Sequence, residues 1–123
     1  MINNKRKIEK PWGYEIIWAE TKDYLGKILH IKEGNRLSLQ YHEHKEETIL
    51  VLSGKLELVT SKAGSKNALK SLILEEGETY HVTPFTVHRF CATQGTDVRL
   101  AEVSTNFLDD VVRMEDDFKR QKK

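Results

Sequence analysis

The strongest constraint on the fold is a series of short β-type segments separated by turn residues. Nine segments either are rich in β-branched side chains or alternate apolar with polar ones. They lie at residues 14–19, 25–31, 36–42, 48–52, 55–60, 69–74, 79–83, 88–92 and 98–104. Breakers such as Gly34, Gly54, Gly77 and Pro84 fall between them. Many short strands at this spacing predict an antiparallel sandwich or barrel, not a parallel α/β sheet.

The two ends of the chain differ from this pattern. Residues 109–121 have the composition of a helix, whose apolar side chains, including Leu108, Val111, Val112 and Met114, could cover one end of a barrel. The basic run at residues 5–7 is typical of a solvated terminus. We therefore predict an all-β fold with a short C-terminal helix at about 109–121. A length of 123 residues predicts a single domain, 1–123, with its core at about 10–106.

Composition limits the partners and the location. Lysine and arginine number 20 and aspartate and glutamate number 19, so the net charge of +1 indicates neither nucleic acid nor a membrane surface as partner. The one cysteine, Cys91, has no partner for an internal disulfide, which is consistent with a reducing compartment. The sequence has no apolar run long enough for a signal peptide or a membrane span. We expect a cytoplasmic protein.

Four polar residues have the types and spacing of a buried metal site: Gln40, His42, Glu47 and His88. Side chains alternate along a strand, so Gln40 and His42 share one face, and a turn can bring Glu47 back beside them. His88 must then come from a non-adjacent strand. Two imidazoles, a carboxylate and an amide oxygen suit zinc, iron, manganese or nickel. His44, on the same alternating face, is the alternative to Gln40.

The spacing of these residues resembles the two-part signature of the cupins, with Gln40 where the first histidine usually stands. Further motifs lie at residues 10–15 (KPWGYE), 37–42 (LSLQYH), 87–89 (VHR) and 109–117 (DDVVRMEDD). Together they resemble the C-terminal domain of type II mannose-6-phosphate isomerase/guanylyltransferase proteins, over about residues 8–120. The resemblance implies a cupin jelly-roll β-barrel. It also implies one divalent metal ion, with zinc as first choice and manganese, iron, cobalt and nickel open.

The activity implied by the resemblance is the interconversion of mannose 6-phosphate and fructose 6-phosphate through an enediol, so the small-molecule partner would be a phosphorylated sugar. The catalytic candidates are Lys45, Arg113 and Glu102, and the candidates for binding the sugar or its phosphate are Trp12, Arg36, Ser38 and Arg89. Competing structural roles remain open. Arg113 can pair with Asp109, Asp110 or Asp117, Lys45 can be solvated on its turn, and Trp12 can belong to the core.

Two other functions remain open, because a fold does not determine chemistry. One is a metal-dependent cupin enzyme of another reaction class, and the other is a non-catalytic cupin that binds a sugar or a sugar nucleotide. We also predict a homodimer, because strand alternation places Leu37, Leu39 and Tyr41 on one outward face and Leu50 and Leu52 on another.

Overall fold

The computed structural model describes residues 1, 4–61 and 68–120, and these residues form strands and turns without a helix. Their strands, in chain order, are β1 (Arg6–Lys10), β2 (Gly13–Glu20), β3 (Tyr24–Ile31), β4 (Leu39–Tyr41), β5 (Glu47–Ser53), β6 (Leu56–Thr60), β7 (Lys70–Leu74), β8 (Thr79–Val82), β9 (His88–Cys91), β10 (Val98–Thr105) and β11 (Val112–Glu115). Each of the nine predicted segments overlaps a strand. No described segment is a helix long and apolar enough to cross a membrane.

The strands form two antiparallel sheets. One has the order β1-β2-β3-β10-β5-β8 and the other the order β11-β4-β9-β6-β7. Strands adjacent in the sheets are therefore often distant in sequence; β10, for example, lies between β3 and β5. The all-β prediction is confirmed, and this topology brings β4, β5 and β9 to the same interior.

The core lies between the sheets and follows the two-residue period of the strands. On β5 Ile49 and Val51 are buried, and on β6 Leu56 and Leu58 are buried, whereas their neighbours along each strand are more accessible. Leu37 and Leu39 are also buried. The prediction that they form an exposed face is wrong, because β4 begins only at Leu39 and the preceding residues do not continue its alternation.

The predicted C-terminal helix is also wrong over residues 109–120; Gln121 lies outside the described residues. Val112–Glu115 forms β11, in which Val112 pairs with Tyr41 and Arg113 with Gln40. Without β11, β4 would have an edge of unpaired backbone N–H and C=O groups, and an extended segment satisfies them. Helix propensity amounts to only tenths of a kcal/mol per residue, so this pairing overrides it.

The N-terminal basic run is likewise structured. Arg6–Lys10 forms β1, which pairs with β2 in the register Arg6 to Ile17 through Lys10 to Gly13. The basic side chains at residues 5–7 are exposed, as predicted, but from Arg6 onward the backbone belongs to a strand instead of a loose terminus. The reason is again an available strand edge: β2 has two sides, and β3 covers only one of them.

Candidate metal centre

A cavity of about 310 Å³ lies between the two sheets and has a wall of mixed charge. Its basic lining residues are Arg6, Lys10, Lys27, Lys45, Arg113 and Arg120, and its acidic ones are Glu15, Glu47, Glu102, Asp109 and Asp110. Trp12, Leu29 and Phe90 contribute apolar wall. A concave site with convergent polar groups on an apolar base is typical of a small-molecule site.

His42, Glu47 and His88 converge in this interior. They are 3%, 2% and 1% exposed, and potential ligand atoms of all three lie within 4.8 Å of one another. Glu47 Oε1 lies 3.2 Å from His88 Nε2 and 3.8 Å from His42 Nε2. Three of the four predicted ligands are thus close enough to share one ion.

The three facing atoms are His42 Nε2, Glu47 Oε1 and His88 Nε2, and none has a hydrogen-bond partner among the described residues. Buried polar atoms without partners are rare and costly. The other nitrogen of each ring is occupied: His42 Nδ1 donates to the carbonyl of Asp110, and His88 Nδ1 donates to that of Thr86 at 2.8 Å. Because a carbonyl only accepts, the proton of each neutral imidazole is on Nδ1 and the lone pair is on Nε2, which is the tautomer that binds a metal through Nε2. The residues therefore fit a divalent ion.

Gln40 lies beside this triad. It lines the cavity and pairs with His88 across β4 and β9. The buried Ser38 donates a hydrogen bond from Oγ to Gln40 Oε1 at 2.6 Å, and a carbonyl oxygen has a second lone pair. His44 is instead exposed, with its ring against that of Phe107. Of the two alternatives for the fourth ligand, the structure brings only Gln40 to the cavity, and its ligand role stays a prediction.

A buried charge network joins the triad to β10. Lys45 Nζ lies 3.1 Å from Glu47 Oε2 and 3.1 Å from Glu102 Oε2. Burial lowers the pKa of Lys45, but the Glu102 and Glu47 carboxylates outweigh burial and raise it above its ordinary value. Burial and the charge of Glu47 together raise the pKa of Glu102. Burial would also raise the pKa of Glu47, but the charge of the Lys45 ammonium opposes it, and the pKa lies well below its ordinary value.

Arg113 extends from β11 into the same cavity. Among the described residues it has no hydrogen bond or ion pair, including with Asp109, Asp110 or Asp117, and its Nε is buried without a partner. Burial, together with the nearby charge of Arg120, lowers its pKa.

Trp12 has both of the positions considered for it, because it belongs to the buried core and also lines the cavity.

Arg36 and Arg89 lie outside the cavity lining. Arg36 donates from Nε and Nη2 to the two carboxylate oxygens of Asp117 at 2.7 and 2.9 Å. The buried Arg89 donates from Nε to the carbonyl of Leu37 at 2.7 Å and lies 3.4 Å from the same aspartate. The structure therefore does not bring these two candidates to the substrate cavity. Their partner, Asp117, follows β11, the segment predicted as a helix.

Sequence reasoning missed Glu15 and Lys27, which face the cavity from β2 and β3. A signal was present for Lys27. Alternation along residues 25–31 places it on the same face as the buried Leu25 and Leu29. A charge buried on that face is costly unless it is paired. Asp110 was considered only as a partner of Arg113. Its carboxylate instead accepts the backbone N–H groups of residues 43–45.

Solved structures of other proteins have a similar fold. The capsular polysaccharide assembling protein CapF from Staphylococcus aureus matches 91% of this chain and 34% of its own, with a TM-score of 0.80 and 17% identity. KdgF from Halomonas sp. matches 87% and 92%, with a TM-score of 0.68 and 17% identity. A cupin 2 conserved barrel domain protein from Rhodopseudomonas palustris matches 80% and 63%, with a TM-score of 0.68 and 15% identity. The cupin fold prediction is confirmed.

Sequence relatives point to one family. The xanthan biosynthesis protein XanB of Xanthomonas campestris is 32% identical over 94% of this chain, and the alginate biosynthesis protein AlgA of Pseudomonas aeruginosa is 29% identical over 95%. The chain spans about a quarter of the length of these relatives, 24% in each case. The family model described as mannose-6-phosphate isomerase C-terminal matches residues 1–116. The chain belongs to the mannose-6-phosphate isomerase C-terminal family.

Proposed function

We propose that this protein is a metal-dependent sugar-phosphate isomerase that interconverts mannose 6-phosphate and fructose 6-phosphate. One observation carries the proposal. His42 and Glu47 line a cavity and their ligand atoms converge with that of His88, and the same cavity is lined by a buried lysine between two carboxylates and by Arg113, whose Nε has no hydrogen-bond partner among the described residues. Family membership and relatives named for polysaccharide biosynthesis support a role in carbohydrate metabolism.

His42, Glu47 and His88, with Gln40 as the fourth, would hold the ion, for which zinc is our first choice. When bound, a divalent ion supplies Lewis-acid polarisation of the sugar oxygens. With one anionic ligand among four, a bound divalent ion would keep a net positive charge. Ser38 holds the Gln40 side chain in place through its hydroxyl. Trp12 offers an apolar wall against which the sugar ring or chain can lie.

Glu102 and Lys45 are the candidates for handling protons. The isomerisation moves one proton from the carbon beside the aldehyde to the aldehyde carbon and a second from the hydroxyl oxygen on that neighbouring carbon to the aldehyde oxygen, with an enediol between the two stages. Glu102 is buried, faces the cavity and has a raised pKa, so its carboxyl group can accept the carbon-bound proton and return it. Lys45, held as an ammonium 3.1 Å from Glu102 Oε2, orients that carboxylate and donates toward developing negative charge.

Arg113 is the candidate for the substrate phosphate. Arginine recognises phosphate oxygens through two parallel N–H groups, and this guanidinium forms no ion pair with the described residues. Its pairing with Gln40 across β11 and β4 places it beside the predicted ligand set. The phosphate would therefore lie toward the C-terminal segment.

The test is an isomerase assay with mannose 6-phosphate on protein reconstituted in turn with zinc, manganese, iron, cobalt and nickel. Metal content is measured alongside the formation of fructose 6-phosphate. His88→Ala removes a predicted ligand, and His44→Ala is the matched control, because it removes an exposed histidine of the same motif. We expect metal-dependent turnover in the wild-type protein and in His44→Ala, and loss of both metal and turnover in His88→Ala.

The outcomes separate the isomerase from its alternatives. Stoichiometric metal that is lost in His88→Ala, without turnover on mannose 6-phosphate, would overturn the isomerase and favour a binding cupin or another reaction class. Turnover that is unchanged in His88→Ala would overturn the metal centre itself.

A further inference from the structure

The inner faces of β2 and β3 carry a buried ion pair that the proposed reaction does not use. Glu15 and Lys27 are each 7% exposed, and both line the cavity. Glutamate and lysine are almost never fully buried, and each buried ion loses several kcal/mol of solvation. A pair retained at this depth needs close pairing or a ligand to offset that loss.

The pairing between these two residues is loose. Lys27 Nζ lies 3.5 Å from Glu15 Oε1, and Lys10 Nζ lies 4.0 Å from the same oxygen. By comparison, Lys45 in the same cavity reaches two carboxylates at 3.1 Å. An ammonium has three donors and a carboxylate about four acceptor positions. The Glu15 and Lys27 pair therefore leaves hydrogen-bonding capacity in the cavity that a ligand can use.

The neighbouring charges determine which ligand fits. Lys27 lies directly opposite Glu102 in the pairing of β3 with β10, and Lys45 lies beyond Glu102. Along this wall, negative and positive groups therefore alternate, starting from Glu15. A phosphate would meet a carboxylate next to either ammonium. A hydroxyl group both donates and accepts, so adjacent hydroxyls of a sugar match adjacent carboxylate and ammonium groups.

We propose that Glu15 and Lys27 form a hydroxyl-binding subsite, which holds neighbouring hydroxyl groups of a polyhydroxylated ligand in the cavity. The identity of the substrate rests on the proposed function. In that reaction, the subsite grips the sugar chain while Arg113 takes the phosphate, so the two residues determine which hydroxyl arrangement is accepted. A site built to hydrogen-bond a hydroxyl discriminates strongly against ligands that lack it, because its buried polar groups are then left unpaired.

The experiment measures binding to the zinc-loaded protein by calorimetry, with three probes. Mannose 6-phosphate carries hydroxyls and phosphate, mannitol carries hydroxyls alone, and inorganic phosphate carries neither carbon nor sugar hydroxyls. The principal variant is Glu15→Gln with Lys27→Met, which removes both charges and leaves no lone buried ion. Glu75→Gln with Lys55→Met makes the same chemical change in an exposed pair outside this cavity. Metal content and circular dichroism verify that each variant is folded and loaded.

We expect the Glu15 and Lys27 variant to bind mannose 6-phosphate at least about tenfold more weakly, the size of one lost hydrogen bond to a charged group. Mannitol binding should be lost, and inorganic phosphate binding should be unchanged, as should all binding by the control. Unchanged sugar-phosphate affinity, or an equal loss for inorganic phosphate, would overturn the subsite. If the wild-type protein binds mannitol, the Glu15 and Lys27 variant does not, and no isomerase turnover is found, the subsite would stand and the isomerase would be overturned. A wild-type protein that binds none of the three probes would overturn both.

Discussion

Two groups of polar residues in this protein differ in how completely they are paired. The cavity group comprises His42, Glu47 and His88, and the C-terminal group comprises Arg36, Arg89 and Asp117. In the cavity group, three buried atoms face one another without hydrogen-bond partners among the described residues. In the C-terminal group, Arg36 makes two hydrogen bonds of 2.7 and 2.9 Å to Asp117, and Arg89 makes one of 2.7 Å to a backbone carbonyl.

The difference indicates which group stabilises the fold and which binds a ligand. Hydrogen bonds and ion pairs offset the solvation lost on folding, so the C-terminal group can attach the segment after β11 to the rest of the fold. Unpaired buried atoms lose that solvation without compensation, unless something else binds them. Substitutions in the two groups should therefore affect different measurements.

The largest effect is expected for Glu47→Gln, which keeps the shape of the side chain and removes the one anionic group of the triad. Mutating a residue that only supports a metal ligand typically weakens metal affinity roughly 10- to 100-fold. Mutating a ligand itself should therefore weaken it by more than about 100-fold. Competition with a chromogenic chelator measures this affinity. Zinc should raise the thermal unfolding temperature of the wild-type protein but not that of the variant. Wild-type zinc affinity in the variant would contradict the cavity group as a ligand set.

The next largest effect is expected for Arg89→Met, which leaves the carbonyl of Leu37 without its donor. The free energy of unfolding should fall by about 2 kcal/mol, measured by urea denaturation of the metal-free protein. Arg36→Met is the control, because its pair is half-exposed and should contribute about 1 kcal/mol or less. Zinc affinity should stay within about twofold in both variants. A large loss of zinc affinity in Arg89→Met would mean that the two groups are not separate.

Asp110 precedes β11 and contacts His42 and the turn after it, so its substitution should affect both measurements moderately. Its carbonyl accepts from His42 Nδ1, while its carboxylate accepts the N–H groups of Glu43, His44 and Lys45 at 3.0, 2.7 and 2.9 Å. Asp110→Ala should lower stability by about 1 kcal/mol and zinc affinity about tenfold. Asp110→Asn keeps one acceptor oxygen and should lose less stability and less zinc affinity than Asp110→Ala. Lost stability with unchanged zinc affinity would show that this turn does not position His42.

The smallest effect on stability and on zinc affinity is expected for a substitution on the outer face of the six-stranded sheet. The homodimer stays a prediction, and its basis is now the exposed side chains of Trp18, Leu52 and Val103 instead of the buried Leu37 and Leu39. Val103→Lys should convert a dimer to a monomer in light scattering, with stability and zinc affinity unchanged. A wild-type protein that is already monomeric at micromolar concentration would remove this prediction.

Most strands were predictable because their signal is local. Residues 25–31 and 98–104 alternate side chains with the period of two that a half-buried strand needs, and the structure has β3 and β10 there. The two errors, at β1 and β11, concern edge strands. Their sequences carry many charges, and they are extended only because β2 and β4 offer free backbone groups.

The candidate site also has some residues that were predictable from the sequence and others that were not. Alternation and ligand chemistry grouped His42 with Glu47, and the resemblance to the cupin signature added His88 from a distant strand; the structure brings the three together. Which basic residues reach the cavity did not follow from sequence. Arg36 and Arg89 lie close in sequence to the predicted ligands, yet Asp117 and a backbone carbonyl engage them, since the segment after β11 runs back to them.

The sequence by itself determined the all-β class, most strand positions and the metal-ligand candidates. The strands and the candidates Gln40, His42 and Glu47 depend on the period or the chemistry of residues close together in the chain, and His88 was identified from its spacing in a family signature. Only the tertiary structure decided that residues 112–115 form a strand, that Arg113 lines the cavity with its Nε lacking a hydrogen-bond partner among the described residues, and that Glu15 and Lys27 share the wall of that cavity. These features depend on contacts between strands far apart in sequence, and the free energy of such contacts exceeds the weak preferences of single residues.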